Sequence, residues 1–489
     1  MGTKKLTSAE RTFLDNAVGV IYANPFSADR DLVDKRLVDF PAGENYTLRY
    51  QRIISAIADG VSGLVSSGHH DIRQFSGTAR DLLESVLIFH VYHQVFLEFD
   101  SLIEKQLGNG DTPVKVPFAR DALAMLHSFG FAEEAAERYF AAFFQIRRAY
   151  YFIGTSIIGR SPCMRGLREA LWNNVITSDI GLYMRTLVGR MEDYSTLLLG
   201  ETGCGKGISA AAIGRSAFIP FDSNRGCFRL NFNRSFMSIN LSQFSESLIE
   251  SELFGHEKGA FTGAVSNYEG VLARCSRYGA VFLDEIGEVS LPVQVKLLRV
   301  LEDRRFMPVG SYEQKQFEGR IIAATNQSLD RLREENRFRD DFYYRLCSDV
   351  IHVPPLRQRI AEDEEELDDL VVHTLARIVG TSSPELADRV ISCIRDQIPR
   401  DYPWPGNVRE LEQCIRRLLL KRRYEAGPAS LHKTNDIDGM LKLVEQGSAS
   451  AQELLSSYCR KLYGQHGSYE TVARITRLDR RTVKKYIDI

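Results

Sequence analysis

The chain has 489 residues, more than one hydrophobic core accommodates, because single cores stop growing near roughly 250–300 residues; two or three domains are expected. Its 44% hydrophobic and 26% charged residues describe an ordinary globular protein and exclude a disordered or fibrous one. A net charge of −2 excludes a surface that is a nucleic-acid footprint throughout.

The amino terminus, Met1-Gly2-Thr3-Lys4-Lys5-Leu6-Thr7, runs straight into a polar helical pattern and lacks the apolar stretch of a secretion signal. Residues 1–155 predict helices almost throughout. Thr7 with Glu10 forms a candidate capping box, and apolar residues recur three and four apart in Leu82-Leu83-Val86-Leu87-His90-Val91 and in Tyr139-Phe143-Ile146-Tyr150. The longest apolar region, residues 86–99, is interrupted by His90, His93, Gln94 and Glu98. These are costly in lipid, so a buried helix is expected and no membrane span. His90 and His93, three apart on one helical face with Glu98 nearby, are candidates for a metal or ligand group; core histidines with one hydrogen bond are the commoner reading. A bundle this rich in Phe, Tyr and Leu could hold an apolar ligand or a protein partner, and it lacks the acidic pocket of a phosphoacceptor receiver.

From about 156 to 360 the pattern becomes strand and helix in alternation, with short apolar runs at Thr196-Leu197-Leu198-Leu199, Ala280-Val281-Phe282-Leu283 and Arg320-Ile321-Ile322-Ala323-Ala324. That predicts a parallel α/β sheet. Beyond Pro354-Pro355 the chain reads as helical again to about 425. The acidic run from Glu362 to Glu366 is expected to be the solvated first turn of a helix, and residues 431–450 a linker. Eight cysteines are present, none spaced as Cys-x-x-Cys, so neither a zinc site nor a disulfide framework is expected and a reducing cytoplasm fits.

Within the α/β region, Gly200-Glu201-Thr202-Gly203-Cys204-Gly205-Lys206 follows a predicted strand and opens a predicted helix, the setting of a P-loop. Glycines let backbone amides fold around phosphate oxygens, the helix N-terminus adds positive potential, and Lys206 can reach the terminal phosphates. The next position, where many P-loops place a magnesium-binding Ser or Thr, holds Gly207. The strand ending in Asp284-Glu285 then supplies a carboxylate for magnesium, Asp284, and one to polarise the attacking water, Glu285. The third strand ends on Thr325-Asn326, polar groups able to reach the γ-phosphate or orient the water. Cys204 is expected to be a small filler within the loop.

At Glu252-Leu253-Phe254-Gly255-His256-Glu257-Lys258-Gly259-Ala260-Phe261-Thr262-Gly263-Ala264 the chain resembles the sigma-54-dependent transcription activators, or bacterial enhancer-binding proteins, which are AAA+ ATPases. The resemblance extends from about Ile157 to Leu420, through Asp284-Glu285-Ile286-Gly287, Phe338-Arg339-Asp340-Asp341, Tyr344-Arg345-Leu346 and Trp404-Pro405-Gly406-Asn407-Val408-Arg409. It implies that Gly259, Ala260, Phe261, Thr262, Gly263 and Ala264 contact sigma-54, that Asn240 restrains Glu285, and that Arg409 is the lid's sensor arginine. It also implies that Arg339 and Arg345 are arginine fingers reaching a neighbour's nucleotide, so hydrolysis requires a ring, expected to be a hexamer, with ATP and Mg2+ as cofactors. Two features depart from the family: Gly207 stands where a Glu is usual, and residues 218–236 are longer than the usual connection. Residues 165–195 also depart from the usual spacing.

Gln465 to Ile489 carries six Arg and Lys (Arg474, Arg477, Arg480, Arg481, Lys484, Lys485) against three acids (Glu470, Asp479, Asp488), a local net charge of +3. Two short helical patterns, Tyr469 to Thr476 and Arg480 to Ile487, flank Arg477-Leu478-Asp479, with Val472, Ile475, Leu478, Val483 and Ile487 expected to face inward. The spacing is that of a helix-turn-helix and resembles a Fis-type domain, offering Arg480, Arg481, Thr482, Lys484 and Lys485 to a major groove and its phosphates. The expected organisation is a helical sensory domain over 1–155, an AAA+ α/β subdomain over 156–360, its helical lid over 361–430, the linker, and a DNA-binding domain over 451–489. The expected function is a cytoplasmic, nucleoid-associated activator that binds upstream enhancer DNA and remodels the sigma-54 RNA polymerase holoenzyme with ATP. An ATPase-impaired DNA-binding repressor and an AAA+ remodeller of another protein are the alternatives.

Overall fold

The computed structural model describes residues 4–41, 43–381, 383–421 and 451–488; the expected linker at 431–450 lies outside the described residues. Two compact units emerge, one of Met1–Ile391 with Asp401–Ile415, the other of Ser392–Arg400 with Arg416–Ile489.

The larger unit begins with helices α1 (Ser8–Tyr22), α2 (Arg30–Asp34), α3 (Tyr46–Ser66), α4 (Gly77–Gly108), α5 (Ala119–Ser128) and α6 (Glu133–Ser156). Thr7 and Glu10 do form a capping box, each side chain bonding the other's backbone N–H, which satisfies two orphan donors at the start of α1. The 32-residue α4 is long and apolar enough, by composition, to cross a bilayer, with a mean hydropathy of 1.2 over its most apolar stretch. It instead forms the centre of the bundle, burying Leu83, Val86, Leu87, Val91, Val95 and Phe99. Helices α7 (Pro162–Ile176) and α8 (Ile180–Leu182) follow, and a π-helical turn at Tyr183–Leu187 lies before the first strand.

The sheet that follows has the order β4 (Phe236–Asn240), β5 (Ala280–Asp284), β8 (Arg320–Thr325), β1 (Thr196–Leu199), β9 (Asp349–His352), every pair parallel. Two small antiparallel pairs accompany it, β2 (Phe221–Asp222) with β3 (Cys227–Phe228), and β6 (Arg305–Phe306) with β7 (Lys315–Gln316). A parallel sheet covered on both faces needs near-continuous apolar strands, which is why the three central strands were legible in the sequence. Alternate residues serve two cores. Leu198, Phe282, Ile322 and Ala324 point to one; Leu197, Val281, Leu283, Ile321 and Ala323 point to the other. The second core is completed by α10 (Glu246–Phe254), α11 (Val271–Arg274), α12 (Leu291–Asp303), α13 (Leu329–Glu334) and α14 (Asp340–Leu346), while the helix after the glycine-rich loop, α9 (Lys206–Gly214), covers the first.

That first core does not stop at the expected boundary near residue 155. It runs on through α6 and α4 into the amino-terminal bundle, and the long 218–236 segment is what joins them. Phe228 of the β2–β3 hairpin stacks on Phe144 of α6 with ring centroids 4.2 Å apart, and Phe221 and Phe232 meet Phe140 and Phe152 edge-on at 4.9 and 5.3 Å. The Val116 amide extends the hairpin by donating to Gly226 O, and the Asn231 and Asn233 amides donate to carbonyls at Gly110. Buried Arg148 donates to the carbonyls of Arg215 and Ala217, just past α9.

Across the expected lid and just before it run α15 (Leu356–Glu362), α16 (Glu366–Val379), α17 (Pro384–Gln397) and α18 (Asn407–Lys421). Of the acidic run, Glu362, Glu364 and Glu365 are exposed as expected, and Glu366 alone departs from the solvated turn. Glu366 is fully buried, pairs with Arg359 at 2.7 Å, and accepts the backbone N–H groups of Arg160 and Ser161. Glu362 accepts the Cys163 amide. A carboxylate leaves water this completely only where cations and N–H donors replace its hydration; Arg359 of α15 supplies the cation and the segment linking α6 to α7 the N–H donors.

In the smaller unit, α19 (Ala451–His466), α20 (Tyr469–Thr476) and α21 (Arg480–Asp488) enclose a core of Cys459, Leu462, Val472 and Val483. Leu478 and Ile487 pack against it as expected, but Ile475 is 41% exposed, because the buried face of α20 runs through Tyr469, Val472 and Ala473 and leaves Ile475 on its flank. Asp479 caps α21 by accepting the amides of Arg481 and Thr482 at 2.9 and 3.0 Å.

Candidate functional site

β1 delivers Gly200 to the C-terminal end of the strands, and the loop turns there on Gly203 and Gly205, with φ of +80° and +115°. A Cβ on Gly203 would lie 2.4 Å from the Gly406 carbonyl, so the loop's approach to the lid requires glycine. Lys206, at the start of α9, is buried and donates to the carbonyls of Gly200 and Glu201 at 2.8 and 3.1 Å. Cys204 packs beneath the loop, with burial raising its thiol pKa, which suits a filler and not a nucleophile. Glu201 pairs with Arg357 of α15 and accepts the Asn407 amide at 3.1 Å, while Asn407 also donates to Thr202 O. Loop and lid are therefore bolted together by polar contacts.

The two carboxylates sit where β5 ends. Burial raises the Glu285 pKa above the ordinary carboxylate value, with Lys206 opposing that shift and Asp284 adding to it. Glu285 has φ +58° and ψ +49°, a left-handed conformation that costs a non-glycine residue on the order of 1–2 kcal/mol and turns its side chain off the strand. Its carboxylate accepts the Asn326 amide at 3.4 Å. The expected contact between Asn240 and Glu285 is not made. Asn240 and Asp284 are register partners across β4 and β5, so the Asn240 amide reaches Asp284, at 3.2 Å. Asn326 donates to the Thr202 hydroxyl at 2.8 Å, and buried Thr325 accepts the Gln327 amide through its own hydroxyl.

Thr202 to Ser209, Asn240, Asp284, Glu285 and Arg409 all line one cavity of about 570 Å³, a size suited to a nucleotide. The structure thus brings together residues the sequence placed far apart. The cavity's other walls were missed: Ile157 and Ile158 on the segment after α6, and His373, Arg377 and Glu412 on the lid. Only the resemblance through the lid could have pointed to the last three. A Cβ at Gly207 would meet nothing nearer than Phe282, 3.9 Å away, so that position is open space beside the loop. Asp284 offers the hard oxygen that magnesium favours, and the set of Asp284, Lys206 and N-terminal amides of α9 fits a metal-bound triphosphate.

Arg339 and Arg345 do not line this cavity. Arg339 pairs with Asp341 at 2.6 Å, and Arg345 is exposed while donating to Leu301 O. The Gly259–Ala264 loop closes on itself through a Gly259 N–H to Ala264 O bond of 2.8 Å, and His256 packs edge-on against Phe261. Gly259 and Gly263 have φ of +86° and +104°; Phe261 and Thr262 are exposed, as is neighbouring Val265 at 80%. On α21, Arg480, Arg481, Lys484 and Lys485 are exposed, Arg480 pairing with Glu470 at 2.9 Å. The Thr482 hydroxyl is bound to Asp479. The His90 and His93 pair does not make a metal site, and among the described residues no group of three or more His, Cys, Asp or Glu does. Both ring nitrogens of His93 are engaged, by Tyr50 and by Phe89 O, and burial lowers its pKa to about 4.

Residues 183–352 match the family model of the sigma-54 interaction domain. The chain is 38% identical over 275 residues to the Nif-specific regulatory protein of Azotobacter vinelandii, covering 55% of this chain and 45% of that one. It is 35% identical over 294 residues to a putative uric acid sigma-54-dependent transcriptional regulator, UacR, of Escherichia coli, covering 57% and 47%. It is 36% identical over 267 residues to the regulatory protein AtoC of Escherichia coli, covering 53% of each. The chain spans about half the length of these relatives.

Proposed function

We propose that this chain, a bacterial enhancer-binding protein by its sigma-54 interaction domain at residues 183–352, is an ATP-driven activator of transcription by sigma-54 RNA polymerase. The observation that carries the reading is the exposed Gly259–Ala264 loop, tipped by Phe261 and Thr262, in the same domain as the cavity that gathers Lys206, Asp284 and Glu285. An apolar ring and a hydroxyl on a self-closed, glycine-hinged loop suit gripping a protein partner rather than catalysis.

ATP binds with its phosphates on the loop amides and Lys206. Asp284 holds the magnesium ion, which supplies neutralisation of phosphate charge when bound. Glu285 takes the proton of the attacking water, and Asn326 and Thr325 set the water's approach. Arg339 and Arg345 act on a neighbouring subunit's nucleotide, a role supported by their absence from this chain's own cavity, so turnover requires a ring, taken to be a hexamer. Exposed Arg480, Arg481, Lys484 and Lys485 on α21 read and hold upstream DNA in helix-turn-helix fashion, with Thr482 serving the cap of that helix.

The test is steady-state ATPase activity together with transcription from a sigma-54-dependent promoter by purified holoenzyme. ATP-dependent transcripts support the reading, and their absence under conditions of active ATP turnover overturns it. Gly207 favours one second reading, a DNA-binding repressor with impaired ATPase; absence of measurable turnover at any protein concentration would favour that one.

A further inference from the structure

The amino-terminal bundle contains a cavity of about 280 Å³ between α1, α3, α4, α6 and α7. Its walls are aromatic: Tyr46 and Tyr50 from α3, Tyr92 and Phe96 from α4, Phe143 and Tyr150 from α6. The Tyr139-Phe143-Ile146-Tyr150 stripe, which reads in sequence as a plain core face, is one wall of it, while the next residues round α6, Phe140, Phe144 and Arg148, are the ones that meet the β2–β3 hairpin and the end of α9.

We propose that this cavity binds a neutral, two-ring aromatic small molecule carrying one hydrogen-bond acceptor. Size comes first. A cavity of about 150 Å³ holds benzene, and this one is nearly twice that volume. Ring-lined walls favour a flat aromatic guest through offset and edge contacts. Charge comes second. Three arginines line the cavity: Arg30 is neutralised by Asp34 at 2.8 Å and Arg147 by Asp100, while Arg185 is exposed, as is Asp81, and Glu84 pairs with Arg80, so nothing in the interior calls for an anion.

The acceptor follows from the tyrosines. Tyr22 is bonded to Ser85, Tyr50 to His93, Tyr92 to Arg147 and Tyr139 to Arg138. The hydroxyls of Tyr46 and Tyr150, by contrast, make no hydrogen bond among the described residues, and both half-buried residues line the cavity. Burial raises both pKa values, Tyr46 to about 12, so each remains a protonated donor. Two unbonded phenol donors on residues that line a largely ring-walled cavity are matched by a guest that presents an acceptor there.

The test uses the full chain and two probes of equal shape, quinoline, which has a ring-nitrogen acceptor, and naphthalene, which has none. Calorimetry without ATP or polymerase keeps the outcome separate from the proposed ATPase activity. One quinoline per chain is expected, bound about tenfold more tightly than naphthalene, as one added hydrogen bond gives. Replacing both donors, Tyr46→Phe with Tyr150→Phe, brings the ratio close to one and preserves the walls. Ile88→Trp fills the cavity and abolishes binding of both probes. Failure of quinoline to bind saturably, equal affinity of the wild type for both probes, or an unchanged ratio in the double Phe variant overturns the proposal. If Ile88→Trp does not fold, the Phe pair still decides it.

Discussion

The side-chain amide of Asn240 donates to the carboxylate of Asp284, 3.2 Å away, at matched positions of two neighbouring parallel strands. The other Asp284 oxygen accepts the Glu285 amide, so the carboxylate is oriented from two sides. Asn240→Ala removes one of these supports without touching Lys206 or the loop. Outer supports of a metal ligand are typically worth about 10–100-fold in metal affinity. The expected result is a rise of that order in the magnesium concentration giving half-maximal ATPase, with metal-free nucleotide binding little changed.

Glu285→Gln leaves nucleotide binding nearly intact and abolishes hydrolysis, because an amide cannot take the proton of water. Radiolabelled ATP binding against phosphate release separates the two. The wild type also has a predictable pH limb. Burial raises the Glu285 pKa, so the carboxylate is protonated, and its base function lost, as pH falls through a value above that of an exposed glutamate. ATPase should therefore decline from the acid side earlier than an unperturbed carboxylate dictates, and nucleotide affinity should not follow the same limb.

Arg148 has no acidic partner among the described residues; two backbone carbonyls past α9 and the face of Phe144, 4.5 Å away, hold it, and burial lowers its pKa to about 9. Arg148→Met keeps most of the volume but strands both carbonyls, at a cost of about 2–4 kcal/mol. Urea unfolding of the larger unit should report that loss. Removing residues 1–155 altogether uncovers Phe221, Phe228 and Phe232, and the remaining chain should aggregate, as measured by light scattering.

How far the sequence disclosed all this depends on the distance over which each feature is specified. The phosphate loop, the Asp284-Glu285 strand end and the Gly259–Ala264 loop are contiguous runs whose chemistry is written in a handful of neighbouring residues, and the structure brings the first two to one cavity. Asn240 meets Asp284 and not Glu285 because strand register, not motif, decides which carboxylate an asparagine reaches. Residues 218–236 read only as an unexplained lengthening, since their aromatic partners lie on α6, some eighty residues upstream. Five acids in a row, Glu362 to Glu366, looked solvated for the same reason: Arg359 and the amides of Arg160 and Ser161 are what bury Glu366.

Breaking that buried group tests its role. Glu366→Ala leaves Arg359 buried without its carboxylate, a change that costs about 3–5 kcal/mol. Limited proteolysis should show new cleavage at residues 157–163, the segment Glu366 holds, before any other site.

Deleting residues 465–489 is expected to abolish binding to upstream DNA and to spare ATPase activity. Lys484→Ala should weaken specific and random DNA equally if Lys484 meets phosphate, whereas Arg480→Ala should reduce the preference for the specific site if Arg480 meets a base. Gel-shift titrations on the two DNAs distinguish these. Tight DNA binding by the truncated chain would contradict the assignment of α21.

The central claim, that ATP turnover is coupled to sigma-54 through the exposed loop, is tested most directly at Thr262. Thr262→Ala removes a hydroxyl and a methyl from an exposed position, so folding and assembly should be unchanged. The decisive measurement is open-complex formation on a sigma-54 promoter with the ATPase rate recorded in the same mixture. The account predicts turnover within about twofold of wild type and no promoter opening, the pattern of a surface contact that serves only the partner. Promoter opening at the wild-type rate by the Thr262→Ala protein would contradict it.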